Sequence, residues 1–201
     1  GDGRLFNNQA IQTILRLAAA NSLYKIIVGR DGLLSTPAVS HLIRKRNLAG
    51  GIILTASHNP GGPEGDFGIK FNLANGGPAT TDHTRAVFEE SRQIRQYSIV
   101  EAPAIRLDVP SIQHLNGMQV EVIDPVVDYA DLMEQLFDFA AIRSLLVLGK
   151  FTMRFDAMHG VSGPYATEIF ENRIGATGSV MNAVPQQDFG GLHPDPNLVH
   201  A

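Results

Sequence analysis

One stretch concentrates residues able to do chemistry: Thr55-Ala56-Ser57-His58-Asn59-Pro60-Gly61-Gly62-Pro63-Glu64-Gly65-Asp66. Three glycines and two prolines in this stretch let the backbone approach a ligand closely while restricting the loop to a few shapes. Ser57 at its mouth could be a nucleophile, an anion ligand or a turn hydroxyl, since Ser, Asn, Gly and Pro all favour turns. His58 beside it could orient a reacting group, exchange a proton, or simply hydrogen-bond within the loop. Lys70, just beyond, is a lone lysine on an expected strand, a type that ordinarily faces solvent. Arg30 stands in another turn, Gly29-Arg30-Asp31-Gly32.

Common enzyme templates do not fit these residues. A hydrolase elbow needs glycine two residues before the serine, where this chain has Thr55. No P-loop, no Gly-x-Gly-x-x-Gly and no His-Glu-x-x-His is present. There are no cysteines, which excludes a thiolate metal site, cysteine catalysis and a disulfide scaffold. His159 and His193 lie far apart, and His193-Pro194 belongs to a proline-rich turn, so both are read as structural.

The elements that must position the loop follow from hydrophobic period and punctuation. Ile11, Ile14, Leu15 and Ala18 recur at helical spacing and predict a helix over Asn7–Ala20. Tyr24–Val28 reads as a buried strand. Ser35-Thr36-Pro37 is a capping hydroxyl with proline in the first turn of a helix that ends near Asn47. Gly51–Thr55 and Phe67–Asn72 read as strands on either side of the loop, and Thr81–Tyr97 as a helix with Val87, Phe88, Ser91 and Ile94 on one face. The stretch from Ile99 to Gln119, broken by Pro103, Pro110 and Gly117, reads as loop, and Val120–Ile123 as a strand. Pro125 is expected to open a helix to about Asp138, followed by a helix over Ala140–Leu148. A strand Phe151–Phe155, a helix Pro164–Asn172 and a strand Val180–Val184 complete the reading. Such alternation predicts a layered α/β fold, whose ligand site usually lies where a strand runs into a loop. The boundary falls near Asp124-Pro125, dividing residues 1–125 from 126–201; the second part has too few strands for a closed domain and reads as cut short.

Composition narrows the class further. The chain has 201 residues and is 44% hydrophobic, enough apolar material for a core. No apolar run approaches a membrane span, and Gly1-Asp2-Gly3-Arg4 is no signal peptide and lacks an initiator Met, so the chain is expected to begin mid-protein in a cytoplasmic protein. Residues 1–100 carry eleven Lys/Arg against seven Asp/Glu (+4), and residues 101–201 five against thirteen (−8). The one dense basic cluster, Arg44-Lys45-Arg46, spreads around a helix end and reads as a solvated terminus, so nucleic-acid binding is not expected. A basic first half suits small anions.

The loop Thr55–Pro60 with Gly61-Gly62 and Gly65-Asp66-Phe67-Gly68-Ile69-Lys70-Phe71-Asn72 resembles the active-site loop of the α-D-phosphohexomutases. Four further segments match in order: Gly29–Ala38, Ile123-Asp124 with Phe137-Asp138-Phe139, Asp156–Gly160, and Asp188–Asn197. The resemblance implies three-layer α/β/α domains with mixed sheets: domain I over 1–125 with the phosphoserine loop, and part of domain II over 126–201. It implies that Ser57 carries a transferable phosphoryl group and contributes to a Mg²⁺ site, with Lys70 as general acid/base or charge partner and His58 beside it. Arg30 resembles a residue near the active site, although a salt bridge within the first domain suits it equally. The implied reaction, in the glucose branch of the family, interconverts glucose 1-phosphate and glucose 6-phosphate through glucose 1,6-bisphosphate. A monomer acting on small hexose phosphates, with no nucleic acid or membrane partner, is the corresponding expectation. The family's aspartate-rich metal loop, sugar loop and phosphate-binding domain would lie beyond Ala201, so the 201 residues alone are expected to be inactive. Two alternatives remain: a catalytically silent relative serving as a scaffold, and a mutase for another hexose phosphate.

Overall fold

The computed structural model describes residues 1–149 and 151–199; the last two residues of the expected 126–201 unit lie outside them. The elements run α1 (Asn7–Ala20), β1 (Lys25–Gly29), α2 (Thr36–Arg46), β2 (Gly50–Leu54), β3 (Ile69–Leu73), α3 (Thr81–Gln93), β4 (Ser111–Leu115), β5 (Met118–Ile123), α4 (Val127–Leu136), α5 (Phe139–Val147), β6 (Phe155–Asp156), α6 (Ser162–Ala166) and β7 (Val180–Met181). α6 continues into a wider π-helical stretch, Thr167–Arg173.

Locally coded elements fall where their residues put them. α1 has the expected bounds and buries Ile11, Leu15 and Ala18. Ser35 caps α2, its hydroxyl accepting from the Ala38 N–H at 3.3 Å, and Asn47 closes the helix in the left-handed conformation.

The sheet is mixed. β1 pairs parallel with β5, and β5 pairs antiparallel with β4. β2 and β3 form a separate antiparallel pair in which Ile53 faces Lys70. Successive residues of each central strand enter opposite cores, as strand geometry requires. Val28, Val120, Val122 and Leu54 pack with α1, whereas Ile53 and the half-buried Ile27 and Ile123 pack with α2 and α4. Helices therefore cover both faces, which makes the α/β/α layering. β1 and β2 do not pair with each other. An apolar slot of about 400 Å³ separates them, lined by Ile26, Val28, Gly50, Ile52 and Leu54.

Several expectations change. Ile99–Gln119 is not all loop, because β4 and the start of β5 form a hairpin across Asn116-Gly117, with φ of 49° and 85°. Two adjacent positive φ values are the signature of a tight hairpin turn. α3 stops at Gln93 rather than Tyr97 and buries no residue; Val87 and Phe88 stay 65% and 58% exposed. The helix expected to open at Pro125 opens at Val127, because the Asp124 carboxylate accepts the N–H groups of Val126 and Val127 at 2.9 and 3.2 Å. The expected strands at Phe151–Phe155 and Val180–Val184 reduce to a two-residue parallel pairing of β6 with β7. The core does not break at Asp124-Pro125: Val126, Ala130 and Tyr165 share one cluster with Val39, Leu42 and Ile43.

Candidate active site

β2 ends at Leu54, and the chain then turns through the glycine- and proline-rich loop before returning as β3. The turn is held at its base, where the Thr55 N–H donates to the Gly68 carbonyl at 2.9 Å. Gly68 is required there, since a Cβ would lie 2.4 Å from the Thr55 oxygen. Inside the loop the Asp66 N–H donates to Pro60 O at 3.0 Å, and the Asn59 amide donates to the Asp66 carboxylate at 2.7 Å. Asn59-Pro60 thus shapes the loop.

Ser57 is exposed and holds φ at 57°, a left-handed backbone unusual for a side-chain-bearing residue. Such conformations persist where surrounding bonds over-determine them, and they cluster at reactive sites. The Ser57 N–H donates to Thr55 Oγ1 at 3.0 Å. Its hydroxyl receives a hydrogen bond from Lys70 Nζ at 2.6 Å. Lys70 reaches it because the antiparallel register sets β3 directly against β2. A cation within hydrogen-bond distance of a hydroxyl favours the alkoxide or a phosphate ester over the neutral alcohol.

The other expected residues are placed differently. His58 is exposed beside Ser57 and has no hydrogen-bond partner among the described residues. Arg30 turns to Asp124, 3.5 Å away, and to Asp31 at 3.9 Å, so the intradomain salt bridge is the contact it makes. His159 is engaged with the Val184 carbonyl at 3.0 Å, in keeping with its structural reading. A divalent ion expected at Ser57 finds few donors here. Among the described residues no group of three His, Asp or Glu side chains converges, and the Ser57 hydroxyl already faces an ammonium group. These residues alone do not make a Mg²⁺ site.

Two residues at the site carry no signal of their own in the sequence. Asp2 and Arg4 are buried beneath the loop, with Arg4 1% exposed. They form an ion pair at 2.9 Å, and Arg4 reaches loop residues more than fifty positions away. Beside Ser57 a cavity of about 420 Å³ runs between the loop and the later part of the chain, with Asp156, Ser162 and Phe189 on its far wall.

Comparison with known proteins supplies the remaining findings. Residues 1–98 match the family described as phosphoglucomutase/phosphomannomutase, alpha/beta/alpha domain I. The chain is 55% identical over 202 residues to a phosphoglucomutase of Rhizobium radiobacter, covering 100% of itself and 37% of that protein. It is 50% identical to a chloroplastic phosphoglucomutase of Solanum tuberosum, of which it covers 32%. Among solved structures it superimposes on the exocytosis-sensitive phosphoprotein pp63/parafusin, a phosphoglucomutase of Paramecium in its open form. That match has a TM-score of 0.94 and 48% identity, and covers 100% of this chain and 38% of the other. The chain therefore spans about a third of the length of these relatives, from 32% to 38%.

Proposed function

The chain belongs to the phosphoglucomutase/phosphomannomutase family, and from that footing we propose that it carries the phosphoserine-bearing part of an enzyme interconverting glucose 1-phosphate and glucose 6-phosphate. The observation that carries the proposal is the Lys70 ammonium 2.6 Å from an exposed Ser57 hydroxyl held in a left-handed backbone. In this reading residues 1–125 are the first domain and residues 126–201 part of the second.

The chemistry is a pair of phosphoryl transfers. In the first, the 6-hydroxyl of glucose 1-phosphate attacks phosphorus on phosphoserine 57, and the Ser57 Oγ–P bond breaks. Oγ leaves as an alkoxide and takes a proton from Lys70 Nζ, while the substrate hydroxyl proton passes to a base for which the exposed His58 is the neighbouring candidate. Glucose 1,6-bisphosphate then presents its other phosphate. Ser57 Oγ attacks its phosphorus and its proton returns to the neutral lysine; the bond from phosphorus to the sugar O1 breaks, and O1 takes back the proton held by the base as glucose 6-phosphate leaves. Lys70 thus alternates between acid and base without any net change. Mg²⁺, if held at phosphoserine 57, would supply charge stabilisation.

Arg30, paired with Asp124, serves in this account to fix the turn after β1 and the start of the second unit. Turnover is expected of a protein in which these residues are joined to the remaining family domains, not of the 201 residues alone. Cytoplasmic location and a monomeric state belong to the same proposal; no helix among the described residues is long and apolar enough to cross a membrane.

The test compares glucose 1-phosphate with mannose 1-phosphate in such a protein, with and without Ser57→Ala. Faster turnover of the glucose ester, abolished in Ser57→Ala, is expected. Preference for mannose 1-phosphate would reassign the substrate, and activity surviving Ser57→Ala would remove the phosphoserine mechanism.

A further inference from the structure

The Ser57 backbone is strained, and both of its polar groups are held from outside. The N–H donates to Thr55 Oγ1, within the loop. The carbonyl accepts from Arg4 Nη2 at 3.2 Å, across 53 residues of sequence. The other terminal nitrogen of the same guanidinium, Nη1, donates to the carbonyl of Asp66 at the far end of the loop. One planar group thus ties together the two ends of the segment that presents Ser57.

Arg4 can do this because nothing about it is free to move. Gly3, at φ 89°, folds the chain back so that the Asp2 carboxylate accepts from Arg4 Nε at 3.0 and 3.1 Å and from Nη2 at 2.9 Å. The Arg4 backbone N–H also donates to that carboxylate at 3.2 Å, and the Asp2 N–H donates to Leu54 O, at the end of β2, at 3.1 Å. On one face the guanidinium lies over the Phe189 ring, 5.3 Å from its centroid. Phe189 is itself buried and stands against Gly61, where a Cβ would come within 2.9 Å of the ring. The loop, the Asp2-Gly3-Arg4 turn and the Asp188–Gly191 turn of the second unit therefore meet on one cation.

We infer that Arg4, seated on Asp2 and stacked on Phe189, is the positioning residue that fixes Ser57 in its reactive backbone conformation. It does not touch substrate, being fully covered; it acts through the carbonyls of Ser57 and Asp66. The inference rests on Ser57 being the reacting residue. Arginine is required because its rigid fork reaches both carbonyls and the carboxylate at once, whereas an ammonium group acts as a single point charge.

The primary variant is Arg4→Lys, which keeps the buried charge opposite Asp2 and loses the fork. Asp2→Asn combined with Arg4→Met supplies a neutral pair should the lysine variant fold poorly. Amide hydrogen exchange in the 201-residue chain is expected to rise about tenfold or more across residues 56–68 in Arg4→Lys, with the β5 amides unchanged. Added ethylguanidinium should restore loop protection in Arg4→Ala but leave Arg4→Lys as it was. Unchanged loop exchange in Arg4→Lys overturns the inference, as does a uniform rise that includes β5, which would make Arg4 a general stabiliser. In a protein that accepts phosphate at Ser57 from glucose 1,6-bisphosphate, Arg4→Lys should slow the transfer at saturating bisphosphate about a hundredfold with KM nearly unchanged. The exchange measurement involves no phosphoryl chemistry, so a Ser57 that never accepts phosphate ends the proposed function while the clamp is still decided by its loop amides.

Discussion

At the scale of single residues, the proposed phosphoryl chemistry of Ser57 rests on one short contact. A serine hydroxyl is a weak nucleophile near neutral pH and a poor leaving group from phosphorus. In the proposed mechanism Lys70 Nζ, 2.6 Å away, would meet both difficulties by stabilising negative charge on Oγ and carrying its proton. Lys70→Met should therefore slow phosphoryl transfer by about two to four orders of magnitude, the usual range for removing an acid–base group, with thermal unfolding little changed because Lys70 is exposed. Rapid-quench measurement of phosphoserine formation in a phosphate-accepting protein checks this. Lys70→Arg retains charge but cannot give up its proton, so it should recover only a small part of the rate. Ser57 and His58 stand out in the sequence because they lie in one short segment with its own composition, whereas Lys70 stands out only through the family resemblance; the structure brings Lys70 to the Ser57 hydroxyl. Asp2 and Arg4 do not stand out, since an Asp-Gly-Arg turn is common and its meaning here comes from Ser57, Asp66 and Phe189, which only the folded chain brings together.

At the scale of elements, the same division between local and distant information holds. α1 and α2 were readable because their period, the Ser35 cap and the Asn47 stop are written within each segment. β4 is hidden in the sequence because Pro103 and Pro110 before it read as loop and mask Asn116-Gly117, the hairpin signal that follows it. That turn carries a measurable demand: Gly117 sits at φ 85° with open space around it, so Gly117→Ala meets backbone strain and no clash. A loss of about 1 kcal/mol is expected, read as a lower urea midpoint with an unchanged slope. A second prediction concerns the link between α4 and the π-helical stretch. Arg173 lies 2.9 Å from each of Asp131, Glu134 and Glu168. Hydrogen bonds from Asn172 and then Arg173 hold the Glu168 carboxyl below its ordinary value of 4.5. The folded chain therefore binds that proton less readily than the unfolded chain. The resulting stability is present above the ordinary value and is lost as pH falls through the lowered one. Glu168→Gln should lower stability near neutral pH and make its fall on acidification shallower, as urea unfolding across that range will show. Parallel acid limbs in the two proteins would contradict the assignment.

At the scale of the whole molecule, two features set the function in place. Packing crosses the expected boundary near Asp124-Pro125: Tyr165 from the later part is buried against α2 and accepts the Ser35 N–H at 3.1 Å. Phe189 likewise reaches the Ser57 loop, so the later part of the chain packs against the candidate site. This packing is invisible in the sequence, where the order of expected strands and helices suggests one unit ending near Asp124-Pro125 and another beginning. The chain matches 37% and 38% of the length of two relatives, and the proposed turnover is tested in a protein that includes the remaining family domains. The central claim is narrower: Ser57 carries a phosphoryl group that hexose phosphates exchange. Its most direct test is to incubate a protein containing these residues and the remaining family domains with labelled glucose 1,6-bisphosphate and Mg²⁺, map the label by peptide mass spectrometry, and then add glucose 1-phosphate. One phosphoryl group on the Ser57 peptide, discharged rapidly to the added sugar phosphate, is the predicted result. A Ser57 that stays unmodified, or a label that glucose 1-phosphate does not remove, would contradict the account and favour the catalytically silent scaffold.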